Sequence, residues 1–198
     1  MGRPKAGQAE ASPPRFRVAG SFAAFRTTLV FDGAQQLALE QLAASASLEW
    51  HASPRWTLVG SAGGTFAGSL GGERLGGGAV GSVAGSFLAL EQGRWWPFLQ
   101  LALSLAVSGV SAPRSAYVAA DLRAALVVGY TFVERVTPYA VARAFGGPAF
   151  YAGRAGTDLY HFQVGAGLVV GLPAGVDLSA EVVPLGEQRF TATVGFSF

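Results

Sequence analysis

Two histidines are the residues of this 198-residue chain best suited to acid–base chemistry, because an imidazole titrates near neutral pH. His161 follows Asp158 by three positions, and a carboxylate close to a histidine can help to activate water or a hydroxyl group. No serine or threonine stands in a motif that marks it as a nucleophile. Hydrolysis therefore stays an alternative, no catalytic residue is assigned, and His51 is interpreted as a hydrogen-bonding side chain.

Other site chemistries find less support in the residue types. The chain has no cysteine, so it has no thiolate and no disulfide, and its acidic and histidine residues show no metal-ligand spacing. Its glycine clusters lack the strand-then-helix context of a phosphate-binding loop. The formal net charge is only +2 and the arginines are dispersed, which argues against a nucleic-acid surface. We expect no metal, no cofactor and no nucleic-acid partner.

Apolar side chains alternate along the chain with small or polar ones. Alternation with a period of two is typical of β-strands, whose successive side chains point to opposite faces. In residues 95–107 the odd positions are Trp95, Pro97, Leu99, Leu101, Leu103, Leu105 and Val107, and the even positions include Gln100, Ala102, Ser104 and Ala106. Residues 160–170 and 190–198 repeat the pattern.

The same pattern predicts ten strands, at residues 15–25, 41–51, 56–69, 77–90, 95–109, 117–131, 137–145, 159–171, 176–184 and 188–198. Most are long enough for a tilted strand that crosses a membrane, which needs about 9 to 11 residues. We predict an all-β fold, a closed antiparallel up-and-down transmembrane barrel of ten strands, with eight or twelve as alternatives. Residues 15–198 form this barrel, and residues 1–14 are expected to be a disordered tail.

Charged residues within the strands indicate which face meets lipid. All of them fall on the face opposite the aliphatic row: Arg17, Glu49, Asp121, Arg123, Arg143, Asp177, Glu181 and Arg189. An arginine at the middle of the lipid-facing surface costs roughly 2 to 4 kcal/mol, whereas a water-facing surface needs charges. We therefore predict an apolar outer surface in lipid and a charged lumen. A soluble barrel would place the two faces the other way round.

Connection lengths and aromatic residues predict the orientation. The connections at one end are short and those at the other are longer, as in barrels with short periplasmic turns and longer extracellular loops. The four tryptophans, Trp50, Trp56, Trp95 and Trp96, fall at the short-turn end with Tyr130, Phe132 and Tyr139, and predict an interfacial aromatic girdle. A second girdle is predicted from Phe66, Tyr117, Tyr160, Phe162 and Phe190.

The chain resembles the small outer-membrane β-barrel proteins of Gram-negative bacteria, of the OmpA/OmpX or porin-like type. The residues that carry the resemblance are the last strand, RFTATVGFSF at positions 189–198, and the segments Trp96-Pro97-Phe98 and Thr137-Pro138-Tyr139. The resemblance implies outer-membrane lipid as the surroundings. It also implies that the barrel-assembly machinery reads the last strand, with Phe198 as the assembly signal.

These observations predict a structural barrel or a narrow, porin-like pore with a charged lumen. In the structural interpretation the lumen charges neutralise one another, and in the functional one they line a path for small solutes. An enzyme at the outer rim, a protease or lipid hydrolase, and a soluble β-barrel binding protein are the alternatives. Residues 1–14 lack the apolar segment of a signal peptide, so the native signal is absent or the start site is misplaced, unless the protein is never exported.

Overall fold

The computed structural model describes residues 15–112 and 115–198, so the predicted tail at 1–14 lies outside the described residues. Among these residues, one short 3-10 turn, Pro173–Gly175, interrupts an otherwise all-β structure. The strands are β1 (Phe16–Phe31), β2 (Gln35–His51), β3 (Trp56–Leu70), β4 (Glu73–Leu75), β5 (Gly78–Leu90), β6 (Phe98–Ser111), β7 (Ala116–Gly129), β8 (Val136–Gly146), β9 (Ala149–Tyr151), β10 (Arg154–Asp158), β11 (Phe162–Gly171), β12 (Val176–Gly186) and β13 (Gln188–Ser197).

Ten long strands close into an antiparallel barrel. They pair in the order β1, β2, β3, β5, β6, β7, β8, β11, β12 and β13, and β13 then pairs with β1 from Arg17↔Ser197 to Arg26↔Gln188. Because every long strand has a neighbour on both sides, the barrel leaves no open edge, which a membrane-crossing sheet requires. The predicted ten-stranded barrel is confirmed. The remaining strands, β4, β9 and β10, are short additions at one end.

The first hairpin extends further than its sequence indicates. Residues 26–40 were predicted as a loop, but β1 continues to Phe31 and pairs residue by residue with β2 as far as Phe31↔Gln35. Only three residues form the turn, where Asp32 and Gly33 adopt the left-handed conformation that a tight turn needs. The predicted start of the fifth long strand at Trp95 is also wrong, since β6 begins at Phe98. We name the end of the barrel with the residue 32–34 turn the loop end, and the opposite end the turn end.

A small hairpin completes the wall at the loop end. β9 pairs with β7, β10 pairs with β9, and β10 then pairs with β1 from Leu29↔Asp158 to Phe31↔Gly156. The backbone N–H of Leu159 continues this seam by donating to the carbonyl of Thr28, at 2.8 Å. The hairpin therefore bridges β7 and β1 above the shorter strands β8, β11, β12 and β13. Residues 146–158, predicted as a loop, are in large part β-structure.

Large apolar side chains cover the outside of the barrel. Leu101, Leu103, Leu105 and Val107 of β6 are between 45% and 56% exposed, and leucines, valines and phenylalanines of the other long strands are exposed likewise. An exposed apolar surface of this extent marks contact with a membrane or another protein. No helix in the part of the chain that the structure describes is both long enough and apolar enough to cross a membrane.

Candidate functional site inside the barrel

Arg17 organises a group of charges near the turn end. Its guanidinium forms an ion pair with Glu49 of β2 and donates to both carboxylate oxygens of Asp177 of β12, at 2.8 and 2.6 Å. To reach β12, the side chain crosses β13 above Gly195, where a Cβ would collide with the guanidinium. The glycine on β13 therefore makes room for an arginine that ties three strands together.

Arg123 organises a second group nearer the loop end. Its guanidinium pairs with Asp121 of the same strand and donates to both oxygens of Glu187, at 3.1 and 3.3 Å. Glu187 also accepts a hydrogen bond from Gln163, at 2.6 Å. Since β7 and the turn between β12 and β13 are separated by β8 and β11 in the wall, the Arg123–Glu187 pair spans the interior.

Glu181 on β12 joins two further strands to this interior network. It accepts hydrogen bonds from Arg143 of β8, at 2.8 Å, and from the hydroxyl of Tyr139, at 3.1 Å. Tyr139 therefore points inward over Gly167, and its assignment to the outer aromatic girdle was wrong. The ring faces inward because residues 139 and 143 are four positions apart in β8 and therefore lie on the same face of the strand as each other.

Arg189 differs from the other interior arginines. Its Nε is buried without a hydrogen-bond partner, and its guanidinium forms no ion pair or side-chain hydrogen bond with the described residues. The carboxylates nearest in the network, Glu187 and Glu181, are already paired with Arg123 and Arg143. All eight predicted lumen charges thus lie on the inner surface, and seven of them are in ion pairs there.

A cavity of about 270 Å³ lies between these charges and the opposite wall. One side carries Asp121, Arg123, Glu187 and Arg189, and the other is lined by small or polar side chains of β2, β3, β5 and β6, namely Ala43, Ser45, Ser61, Ser82, Ser104, Ala106 and Ser108. Two of the hydroxyls on this wall, of Ser61 and Ser82, share a hydrogen bond of 2.7 Å. The small residues leave the space into which the charged side chains of the other wall project.

An apolar cluster closes the interior above the cavity. It consists of Leu29, Phe31, Leu39, Leu70, Leu75, Val110, Tyr117 and Ala149, and we name it the cap. Leu39, Tyr117 and Ala149 belong both to the cap and to the cavity lining, so the two are in direct contact. Tyr117 is 4% exposed, so its assignment to the outer girdle was wrong. The cap was missed because its residues lie in segments predicted as loops or at strand ends.

Asp158 lies beside the cavity, at the end of β10 and outside the membrane-crossing strands. Its Oδ1 accepts a hydrogen bond from the Thr27 hydroxyl, at 3.2 Å. Burial raises the pKa of Asp158 to about 6, and the negative charges of Glu187 and Asp121 add to the rise. The carboxyl therefore changes its charge in the weakly acidic range.

The two histidines do not form an acid–base site with a carboxylate. His161 Nδ1 lies 3.3 Å from the carbonyl oxygen of Phe145, while Asp158 bonds to Thr27 instead. His51 Nδ1 lies 3.0 Å from the Thr57 hydroxyl at the turn end, in line with its interpretation as a hydrogen-bonding residue. Within residues 15–112 and 115–198, no group of three or more acidic or histidine side chains is placed to hold a metal ion.

Glu187 is the interior charge that the sequence analysis missed. It is 3% exposed and links Arg123 to Gln163, yet it falls between the strands predicted at residues 176–184 and 188–198. The alternation of β13 contains the missing signal, because residue 187 has the same parity as the inward Arg189, Thr191 and Thr193. Extending the two-residue alternation of β13 by two positions toward the N-terminus, from Arg189 to residue 187, would have identified Glu187 as an inward residue.

The aromatic residues predicted at the outer surface are mostly exposed there. Trp50, Trp56, Trp95 and Trp96 are exposed at the turn end, and Trp95 and Trp96 lie in the connection before β6. Phe66, Tyr160, Phe162 and Phe190 are exposed as well. Phe198 is exposed beside Phe16 and Phe196, with ring centroids 6.1 and 6.0 Å apart. Their roles as interfacial anchors and assembly signal stay predictions.

Known proteins match this architecture in structure only. No protein-family model and no curated protein sequence matches the chain. An outer membrane channel from Pseudomonas putida F1 superimposes with a TM-score of 0.51 at 12% identity, covering 99% of this chain and 100% of the channel. The fold is that of outer-membrane β-barrels.

Two further solved structures share this fold, and their names give functions other than that of a channel. The outer membrane protease OmpT from Escherichia coli has a TM-score of 0.52 at 10% identity, covering 94% of this chain and 98% of its own. The translocator domain of the autotransporter NalP from Neisseria meningitidis has a TM-score of 0.55 at 10% identity, covering 96% and 90%. A channel, a protease and a translocator share the architecture, so the fold alone does not select a function.

Proposed function

We propose that this protein is an integral barrel of the outer membrane that forms a narrow pore for small polar solutes, closed at the loop end by the cap. The single observation that carries the proposal is the polar cavity directly beneath the cap. A barrel that served only as a scaffold would gain more from a fully packed interior, because unpaired buried polar groups cost stability.

The outer surface supports the membrane location. Its long strands present leucine, valine and phenylalanine to the outside, and their charges face the interior except for Arg26 and Glu40, which pair with each other toward the loop end of β1 and β2. Contact with the bilayer is the favourable environment for such a surface, and outer-membrane lipid is the proposed partner. The short connections then face the periplasm, and the cap faces the cell exterior.

A role in catalysis has weaker support than a role in transport. OmpT and this chain share a fold, but His161 bonds to a backbone carbonyl and not to a carboxylate. We therefore propose no enzymatic activity. Replacement of His161 by alanine tests the alternative if refolded protein cleaves peptides or deacylates lipid, because a catalytic histidine would be required for either reaction.

Conductance across planar bilayers tests the proposed pore. The wild type should give small and infrequent steps, and the Phe31→Ala, Leu70→Ala double variant should give larger or more frequent ones, because both side chains are 1% exposed within the cap. Leu105→Ala is the matched control, since it removes a leucine from the outer surface and leaves the interior unchanged. If the cap variant folds and neither protein conducts, the barrel is a closed structural protein.

A further inference from the structure

The cavity beneath the cap contains polar atoms that the protein itself does not satisfy. Arg189 Nε, Asp121 Oδ1 and Gln41 Nε2 are all buried and without hydrogen-bond partners in the described part of the chain. All three residues line the same cavity. Buried polar groups in proteins are nearly always paired, so three exceptions around one space indicate that something else pairs with them.

The unsatisfied groups carry charges of both signs. Arg189 offers a cationic donor, and Gln41, which is 3% exposed, offers an amide N–H₂ in the same lining, on the other side of Phe25 of β1. Asp121 uses Oδ2 for Arg123 and keeps Oδ1 unpaired. A ligand that paired with all three groups would need an anionic group to accept from Arg189 and Gln41. It would also need a cationic group to donate to Asp121.

The size and the remaining lining restrict the ligand further. A volume of about 270 Å³ is more than ten times the roughly 15 Å³ that one water needs, so the cavity has room for a solute of several non-hydrogen atoms. Phe25, Leu39 and Val80 add an apolar patch to the lining, which suits a short aliphatic group. Water alone would satisfy the polar atoms but would gain nothing from this patch.

We infer that the cavity is a binding site for a small zwitterion of the α-amino acid class, with its carboxylate on Arg189 and Gln41 and its ammonium group on Asp121. The inference rests on the proposed pore, since the solute reaches the cavity along the lumen. The site lies beneath the cap and beside the Arg123–Glu187 pair, so a bound molecule occupies the charged part of the path.

Titration of refolded protein in detergent micelles, followed by calorimetry or ligand-observed NMR, tests the binding site without requiring conduction. L-alanine is the zwitterionic probe, and propionate and propylamine each present one of its two charges. We expect L-alanine to bind, and we expect propionate and propylamine each to bind at least tenfold more weakly. The reason is that both charges of L-alanine contribute hydrogen bonds to charged groups of the protein. Equal binding of propionate and L-alanine would overturn the zwitterion assignment, and so would the absence of any binding.

Variants show whether the inferred residues carry the binding. Arg189→Gln and Asp121→Asn should each weaken the binding of L-alanine at least tenfold. Arg189→Lys should retain part of the affinity that Arg189→Gln loses. Arg26→Gln is the matched control, because Arg26 is 63% exposed on the outer surface. Unchanged binding in a folded Arg189→Gln variant would overturn the assignment. A cap variant that conducts without binding L-alanine refutes the site alone, and a protein that binds it without conducting refutes the pore.

Discussion

Arg123 and Glu187 form a bidentate ion pair across the barrel, with N–O distances of 3.1 and 3.3 Å between β7 and the turn that joins β12 and β13. Glu187 is almost fully buried, and Arg123 also holds Asp121. The pair therefore connects walls that have no direct backbone hydrogen bonds to one another. Its contribution is to hold the β12–β13 turn against the interior.

Removal of one partner of this pair should destabilise the barrel strongly. Arg123→Gln leaves two buried carboxylates without their cation, which costs about 3 to 5 kcal/mol in buried pairs. The double variant Arg123→Gln, Glu187→Gln should lose less than the sum of the two single variants. Urea unfolding in micelles measures the three free energies. The exposed pair Arg26–Glu40 is the control, and its loss should cost at most about 1 kcal/mol.

The two faces of β6 should respond differently to the same charge. Leu103 is 56% exposed on the outer surface, and its neighbour Ser104 lines the cavity. Leu103→Arg places a cation on the apolar outer surface and should cost roughly 2 to 4 kcal/mol in lipid. Ser104→Arg should cost less, because it stays in the polar interior, opposite Arg123 and diagonal to the carboxylate of Asp121. The folded fraction after insertion into vesicles compares the variants. Equal losses would contradict the assignment of the faces.

Gly195 should resist substitution although it lies in a regular strand. A side chain at this position collides with the Arg17 guanidinium and would push it away from Asp177. Gly195→Val should therefore lower the stability by several kcal/mol, since it displaces a buried ion pair. Gly20→Val is the control, because a Cβ at Gly20 has no neighbour within 4 Å. A thermal melt in detergent that shows similar losses for both would refute this role of Gly195.

Asp158 should make the stability depend on pH in the weakly acidic range. Its pKa is raised to about 6 in the folded protein from 3.8, so between these values the folded state holds a proton that the unfolded state has lost. Its contribution to stability is therefore greatest below pH 4 and is lost as the pH rises through 6. The free energy of unfolding should be measured from pH 4 to 7 for the wild type and for Asp158→Asn. As the pH rises, the stability of the wild type should fall steadily relative to that of the variant. A flat difference would contradict the raised pKa.

Phe198 should matter more for assembly in cells than for the stability of the finished barrel. Its ring is 59% exposed and stacks on the rings of Phe16 and Phe196 at the surface, so Phe198→Ala should change refolding in vesicles little. The amount of folded barrel in the outer membrane should fall if the terminal aromatic is the assembly signal. Phe16→Ala removes the other ring of the same contact and should leave assembly normal. Equal defects in both variants would argue for packing instead of recognition.

The alternation of side chains was sufficient to predict the barrel but not its loop end. Along β6 and β13 the apolar and polar faces are unambiguous, because one forms the exposed outer surface and the other faces the interior. In residues 26–40 the inward positions Leu29, Phe31 and Leu39 are apolar too, since they form the cap, so the contrast between faces disappears. Polarity alone therefore could not identify this extension of the strands.

The sequence predicts which charged residues face the interior, but it does not predict which of them pair with one another. Parity placed Arg17 and Arg123 inside, but the pairings depend on distances across the lumen, which no local pattern contains. For the same reason, the unpaired state of Arg189 and the cavity beside it are properties of the closed barrel. They could not be anticipated from one strand at a time.

The β9–β10 hairpin gives the barrel a second closure, at the loop end. Because β10 precedes β13 in the chain and pairs with β1 on the same side, the two halves of the molecule are joined at the top by a seam that needs no C-terminal strand. β11, β12 and β13 fill the gap between β8 and β1 that this seam bounds at the loop end. The pairing of β13 with β1 therefore does not have to hold the cylinder shut alone.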